Sequence, residues 1–570
     1  MRLKIIRIIT IILFLIVILD LFYVQAIRGR YYYNLSKNNR VRIVPLEGWR
    51  GRIFDSTGEV LADNIVSFNV MITPQEIKSK QELFSFLADT LGITYKKIEE
   101  LYKKKRSTPF APIVLVENIG REKAIILEEE KYRFPSLFIQ ESFRRVYPRG
   151  ADTSHVVGYV GKMNKQKIER FKEYGYSPQS IIGYSGIEEY YDSYLKGGYG
   201  GLQVEVNSRG EQVRLLSFKE PVKGQDLELT IDSRMQRMAA ESLDERPGAF
   251  IALDADSGEV LSMVSSPSFD PNVFKKAISK NSLKGLSSSK FSPFLNRVIK
   301  GLFPPGSVFK VPIAIAGLDT KKITQHSSFN CLGFYELAGI KFRCTHIHNY
   351  QNLIQSLAHS CNVYYYRLGM ILGADIISKY ARLFSLGKLT HIDLPYEEKG
   401  FVSSRRHKVL QGKKWYAGHT LNFSIGQGDL STTPIQLTRM MATIASDGIE
   451  VQPHIIRKIG GKLVDDYNSK RKLKIQKQTF DIVKKGLRET VRSFSGTAHI
   501  LDIEGIYIAG KTGTAQTSGN KEDHAWFVGY VETSKKKIAF CVFLEHGGSS
   551  QNACLTARQI LLKMNREGII

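Results

Sequence analysis

The chain has 570 residues, 43% of them hydrophobic and 24% charged, which are globular values on a length that calls for two or three domains. Lys and Arg outnumber Asp and Glu by 81 to 55, a formal net charge of +26, but the basic residues are scattered, as in Lys103–Arg106 and Lys535–Lys537. No aromatic-interleaved basic motif, zinc finger or helix-turn-helix pattern goes with them, so nucleic acid is set aside in favour of an anionic surface, lipid headgroup or acidic polymer.

Ile8 to Val24 is an apolar run preceded by Arg2, Lys4 and Arg7, long enough to cross a hydrocarbon core as a helix with its N-terminus inside the cell. Gln25–Arg30 offers no small-residue cleavage site, so the run reads as an uncleaved signal anchor. Residues 1–29 are then the cytoplasmic tip and transmembrane anchor, and the rest is exported. Asp20 is expensive inside lipid; it reads as a group near the outer interface or as a contact to a partner's membrane helix. Five cysteines, Cys331, Cys344, Cys361, Cys541 and Cys554, are an odd number, which argues against a full disulfide framework.

Residues 40–63 alternate apolar and polar positions around Ser56–Gly58 and predict strands joined by a hairpin. Gln81–Lys105 has helical periodicity broken at Gly92. Phe138–Gly161 and Gly197–Leu215 read as further strands, and Ile187–Lys196 as a short helix. Nothing from 30 to 220 pairs a nucleophile with a base, so a structural or docking role is expected there. Beyond Asp232, Arg234–Leu243 reads as a helix. Ala249–Leu253 and Glu259–Val264 read as a hairpin, matched at the C-terminal end by Trp526–Val531 and Ile538–Leu544. A mostly helical block lies between them, which predicts one antiparallel sheet built from both ends of the domain, with helices packed on it.

Inside that block, Pro304, Pro305 and Gly306 precede an apolar helix that must start at or next to Ser307. Lys310 lies three residues on, one turn away, where a neutral amine could take the serine's proton. Ser287 with Lys290 and Ser534 with Lys537 share the spacing but read as solvated surface. Ser360 and Asn362 open an aromatic helix and could relay a proton and hold a peptide amide. Lys511–Thr514 end a strand, where Gly513 would admit a substrate backbone and Lys511 would depress the Lys310 amine. Tyr364–Tyr366 read as core and groove wall. His155, His391, His407, His419 and His454 read as surface or capping residues, and His524 as a residue bordering the site.

The set Ser307-x-x-Lys310, Ser360-Cys-Asn362 and Lys511-Thr-Gly-Thr514 resembles the motifs of penicillin-binding proteins and serine β-lactamases. Arg50–Ala62 is similar to the entry motif of the class B, membrane-anchored penicillin-binding proteins, with Ser56 in place of their usual arginine. Gly186–Asp192, Ser265–Asn272, Asn296–Arg297, Ile425–Gly428 and Thr433–Gln436 resemble other blocks of that class. Cys331–His348 resembles the insertion of its elongation-specific members, the penicillin-binding protein 2 group. The division-specific penicillin-binding protein 3 group is the nearest alternative.

The resemblance implies a mixed α+β pedestal over 30–230 and an α/β transpeptidase domain over 231–570, without a glycosyltransferase domain. It implies periplasmic location on one anchor in the inner membrane, and a peptidoglycan D,D-transpeptidase that β-lactams inhibit by acylating Ser307. Lys310 would be its general base and Ser360 its proton relay, while Asn362 would hold the peptide amide. Lys511, Thr512 and Thr514 would bind the terminal carboxylate, with the N–H groups of Ser307 and Thr514 as oxyanion hole. A RodA-type glycosyltransferase is the implied partner, and catalysis needs no cofactor. A β-lactamase or β-lactam sensor would not need so long a pedestal. The stretch Gly505–Thr512 also fits a phosphate-loop pattern, but Ile506–Ala509 is a β-run and no helix can follow it.

Cys331, Cys344, His348 and Cys361, with His346 as a substitute, form a plausible tetrahedral zinc set. The resemblance adds that some penicillin-binding protein 2 enzymes carry a structural metal here. A Cys331–Cys344 disulfide or free thiols are the alternatives.

Overall fold

The computed structural model describes residues 2–33, 41–46, 48–106, 112–163, 167–169, 181–206, 212–275, 291–467, 469–517, 519, 521–534 and 536–570. The Ser287 and Lys290 pair lies outside the described residues. Arg2–Phe22 is an α-helix that continues as a π-helical turn over Tyr23–Ile27. Among the described residues, Leu3–Ile27 is the one helix long and apolar enough to cross a membrane.

Packing separates the rest into two compact units, and neither is one continuous stretch. The first comprises Met1–Gly51, Asn64–Arg144 and Lys196–Gly224; the second comprises Arg52–Asp63, Arg145–Leu195 and Gln225–Ile570. In the first unit, Val41–Leu46, Gly200–Val206 and Gln212–Lys219 form a three-stranded sheet. A second core gathers Val70, Ile72, Leu83, Phe84, Leu87, Ile98, Leu115 and Leu127. Its helix Lys80–Leu91 is capped by Ser79, whose side chain accepts from the Glu82 N–H, and ends where Gly92 turns left-handed at φ 68°. That glycine is the break seen in the helical periodicity.

The second unit is built on an antiparallel sheet in the order Val260–Ser266, Gly248–Asp254, Lys537–Leu544, His524–Glu532, Tyr507–Ala515. Its central strands are buried on both faces, and alternate residues feed two different cores. Phe250, Ala252, Phe527, Phe540 and Val542 join one core with Met235, Ala557 and Ile560, from helices Ser233–Leu243 and Ser550–Arg566. Ile251, Leu253, Trp526, Val528, Cys541 and Phe543 face the other, with Met440, Met441 and Ile444 of helix Pro434–Ala445. The two terminal hairpins therefore pair directly, with Ile251 opposite Cys541.

Two readings of the sequence are corrected. The strand expected over Phe138–Gly161 stops at Val146, after which come a 3-10 turn at Gly150–Thr153 and a short helix at Ser154–Val157. Pro148 and Gly150 interrupt the alternation there. His155 is not a surface residue: its ring stands edge-on to Phe269, and burial with the Arg297 charge lowers its pKa to about 4.

Candidate active site

The turn that carries Ser307 is held from both sides by backbone contacts only glycine allows. Gly306–Phe309 is a 3-10 turn that leads into the helix Lys310–Asp319, leaving Ser307 half-buried at the helix mouth. Gly306 has φ +53°, and a Cβ there would lie 2.5 Å from the Thr514 carbonyl oxygen. Its N–H donates to the Gly426 carbonyl at 3.1 Å. A Cβ on Gly426, at φ +76°, would lie 2.0 Å from the Gly306 oxygen. The sequence suggested that Gly513 clears room for substrate. Instead, its missing side chain would collide with Pro305 O and the Val308 side chain, both at 2.9 Å. That glycine lets the strand Tyr507–Ala515 press against the serine turn.

Lys310 is fully buried. Its Nζ donates to Asn362 Oδ1 at 2.6 Å, Ser360 O at 2.7 Å and Ser360 Oγ at 3.3 Å. All three oxygens come from the second motif and satisfy the three donors of an ammonium. Ser360 sits at φ +55°, a left-handed conformation uncommon outside glycine and characteristic of functional sites. Burial lowers the Lys310 amine to about 8, opposed by the Cys344 and Cys361 thiols. Lys511 is also fully buried and lowered further, by burial first and by the Lys310 charge second. The two like charges repel, which disfavours a proton on either amine.

On the third strand the residues divide by exposure. Thr514 is exposed, while Thr512 is buried with its hydroxyl 2.7 Å from that of Thr497. Lys511 Nζ donates to the Thr512 carbonyl at 3.3 Å. The region matching a phosphate-loop pattern runs as strand from Tyr507, so no phosphate cradle exists. His524, expected at the border, is buried beside Phe303, with ring centroids 5.0 Å apart, and its Nδ1 accepts from the His546 N–H. Tyr364, Tyr365 and Tyr366 are buried behind the second motif.

The insertion folds back onto the second motif. Phe329–Cys331 pairs with Asn349–Gln351, and Phe334–Leu337 with Ile340–Arg343. Cys331, Cys344, His348 and Cys361 come together with their ligand atoms within 4.8 Å of one another. His348 Nδ1 lies 3.6 Å from Cys331 Sγ and 3.5 Å from Cys344 Sγ. His346 is outside the group and contributes its carbonyl, 3.6 Å from Cys331 Sγ. Both Cys331 and Cys344 are free thiols. The Cys361 thiol donates to Cys344 and pulls its pKa far down, and the same contact pushes Cys361 up. The Asn362 N–H points at Cys344 Sγ, 3.2 Å away, which ties the cluster to the residue that holds Lys310.

Sequence reasoning missed Thr497 and the Ser495–Thr497 turn, and it found Gly426 only as part of the Ile425–Gly428 block, not its contact with the serine turn. None carries a periodic or spacing signal. Their roles arise only when distant segments meet.

A family model described as the penicillin binding protein transpeptidase domain matches residues 248–563, and one for the penicillin-binding protein dimerisation domain matches residues 45–229. The peptidoglycan D,D-transpeptidase MrdA of Haemophilus influenzae is 31% identical over 572 residues, covering 95% of this chain and 88% of that relative. The penicillin-binding protein PBP2 of Helicobacter pylori, solved in a complex with MreC, superposes with a TM-score of 0.83 at 28% identity, over 93% of this chain and 100% of that one. A chain from a peptidoglycan synthase complex that coordinates polymerization and crosslinking superposes with a TM-score of 0.74 at 30% identity, over 99% of this chain and 98% of that one.

Proposed function

The chain belongs to the penicillin-binding protein transpeptidases, and from that membership we propose how its groove works. It is a serine-type peptidoglycan D,D-transpeptidase of the elongation type and a target of β-lactams. Ser307 Oγ attacks the carbonyl carbon of the penultimate D-Ala of a stem peptide, and Lys310 takes the hydroxyl proton. The C–N bond to the terminal D-Ala breaks, and Ser360 passes a proton to the departing amine. An amine of a neighbouring stem then attacks the ester, forming the cross-link and returning the proton to Ser307. The N–H groups of Ser307 and Thr514 serve the oxyanion, at about 3 kcal/mol per donor. Asn362 holds the substrate amide. Thr514, exposed, meets the terminal carboxylate first, with Thr512 and Lys511 behind it.

The observation that carries this reading is the three-point capture of Lys310 Nζ by Ser360 and Asn362. It joins two motifs 50 residues apart in the chain around one buried amine. Intact-protein mass spectrometry after incubation with benzylpenicillin tests it. One β-lactam adds to the wild-type protein and none to Ser307→Ala; an adduct that survives the substitution overturns the assignment.

We propose that the Cys331, Cys344, His348 and Cys361 group would hold a structural zinc. A tetrahedron with metal–sulfur bonds of about 2.3 Å and metal–nitrogen bonds of about 2.05 Å has S···N edges of about 3.6 Å. The two Sγ to Nδ1 distances, 3.6 and 3.5 Å, fit such edges. A bound zinc would fasten the insertion to the helix that begins at Asn362 and supplies no chemical step. Elemental analysis of protein purified without a chelating tag should find about one zinc per chain. Less than about 0.2 per chain, with Cys331 and Cys344 oxidised, would assign the loop to a disulfide.

Leu3–Ile27 anchors the chain in the cytoplasmic membrane by a single pass, with pedestal and transpeptidase domain in the periplasm; residues 52–63 and 145–195, within the 30–230 stretch expected as pedestal, pack with residues 225–570 instead. Its partner is a RodA-type glycosyltransferase within the elongation complex, and Asp20 offers a polar contact inside the bilayer. The likeness to a chain of a peptidoglycan synthase complex supports that partner. Copurification from detergent should be lost when the anchor is exchanged for an unrelated apolar helix; unchanged recovery removes the anchor's role.

A further inference from the structure

Side chains outside the three motifs form a hydrogen-bonded chain from the Cys/His loop to Ser495, whose turn reaches the third motif through Thr497. Gln351 is buried, and its Nε2 donates to the carbonyls of His348 and Tyr350 at 2.9 and 3.0 Å. Its Oε1 is left to face His359 Nδ1 at 2.6 Å. A carboxamide oxygen only accepts, so Nδ1 carries the proton. In that neutral tautomer Nε2 is an acceptor, and the Ser495 hydroxyl, 2.9 Å away, donates to it.

One residue beyond Ser495, a Cβ on Gly496 would lie 2.3 Å from the Thr490 carbonyl oxygen, so the turn is too tight for a side chain there. It brings the Thr497 N–H to the Ala358 carbonyl at 3.1 Å and the Thr497 hydroxyl to that of Thr512 at 2.7 Å. The turn therefore grips residues 358 and 359 by one backbone and one side-chain bond, and grips the third motif by another. The next residue after His359 is Ser360, in its left-handed conformation. Such a conformation costs about 1–3 kcal/mol and persists only where its surroundings hold it.

We propose that His359 is a positioning residue, and that the Gln351–His359–Ser495 chain is a clasp that holds Ser360 in register with Lys310 and with the third-motif strand. The inference rests on the assignment of Ser307 as nucleophile with Lys310, Ser360 and Asn362 as its partners. His359 touches neither substrate nor the reacting atoms; it acts through the geometry of its neighbour.

The test separates reversible binding of a fluorescent penicillin from the first-order acylation step, with rates expressed per active site. His359→Asn keeps a group at the Nδ1 position and loses the reach to Ser495. His359→Gln keeps a group at the Nε2 position. Ser495→Ala cuts the same link from the other side without touching the Cys/His loop. Ser495→Ala and His359→Asn are expected to lower the acylation constant about tenfold, as for a small displacement of reacting groups, with the dissociation constant little changed. His359→Gln, which keeps the link to Ser495 and gives up the one to Gln351, should acylate faster than His359→Asn. The double variant His359→Asn with Ser495→Ala should be no slower than the slower single variant, because both cut one link. Wild-type acylation by Ser495→Ala, or losses that multiply in the double variant, would overturn the clasp. Failure of the underlying assignment has a separate signature, an adduct that persists in Ser307→Ala.

Discussion

Lys310→Ala is expected to slow acylation by a β-lactam by about 10³-fold, within the range that a positioned general base supplies. The amine is buried among Ser360 O, Ser360 Oγ and Asn362 Oδ1, so no water can replace it without new cost. Lys310→Arg should not restore the rate, since a guanidinium stays charged at every accessible pH. The wild-type pH profile follows from burial, which lowers the amine to about 8. The neutral amine is the reactive form, so the acylation constant should rise about tenfold per pH unit up to pH 8 and then level. In Lys310→Ala this rise should disappear. Stopped-flow acylation between pH 6 and pH 9.5 reads both effects, and a loss under about tenfold would remove Lys310 from the proton transfer.

Gly426→Ala is expected to cost about 10²-fold in acylation, the scale of a 1 Å misplacement of reacting groups. Its new Cβ would lie 2.0 Å from the Gly306 carbonyl oxygen, and backbone cannot yield as a flexible side chain can. Relief has to come from moving the turn that carries Ser307. Gly412→Ala is the control, because Gly412 also has a positive φ, +70°, but a Cβ there meets nothing within 4 Å. It should pay the backbone strain, about 1 kcal/mol, and acylate normally. Equal acylation by the two variants would show that the serine turn does not depend on Gly426.

The motif residues were legible in the sequence because each carries its own local signal. Pro304, Pro305 and Gly306 mark the serine turn, and the β-run Ile506–Ala509 marks the strand that holds Lys511. The paired terminal hairpins were legible because short apolar runs bounded by turn residues such as Asp254–Gly258 mark strands buried on both faces. Thr497 left no trace, and Gly426 stood only inside the Ile425–Gly428 block with no sign of its contact, because a hydroxyl pair such as Thr497 with Thr512, or a glycine under a distant carbonyl, is defined only by which segments meet. Gly513 shows the intermediate case. Its place was evident from the motif, but the group its hydrogen faces, Pro305 O, was not. The Cys/His residues were legible as a set through their chemistry, while the Asn362 N–H to Cys344 contact that ties them to the groove was not.

The discontinuous makeup of the second unit governs the order in which it can be completed. Ile53 and Leu61, near its first residues, belong to the same core as Val156, Ile187, Leu195, Ile251 and Ile455. Ile53 pairs in parallel with Leu227, and Leu227 pairs with Ile459. A nascent chain therefore holds the 52–63 hairpin for roughly 400 residues, and the 145–195 segment for roughly 260, before the strand at Ile459 completes their sheet and core. Closing so long a loop is slow, and the waiting apolar segments are exposed meanwhile. A holdase that covers the early segments should raise the yield of penicillin-binding protein, and a chain cut to begin at residue 231 should emerge with that core open and aggregate.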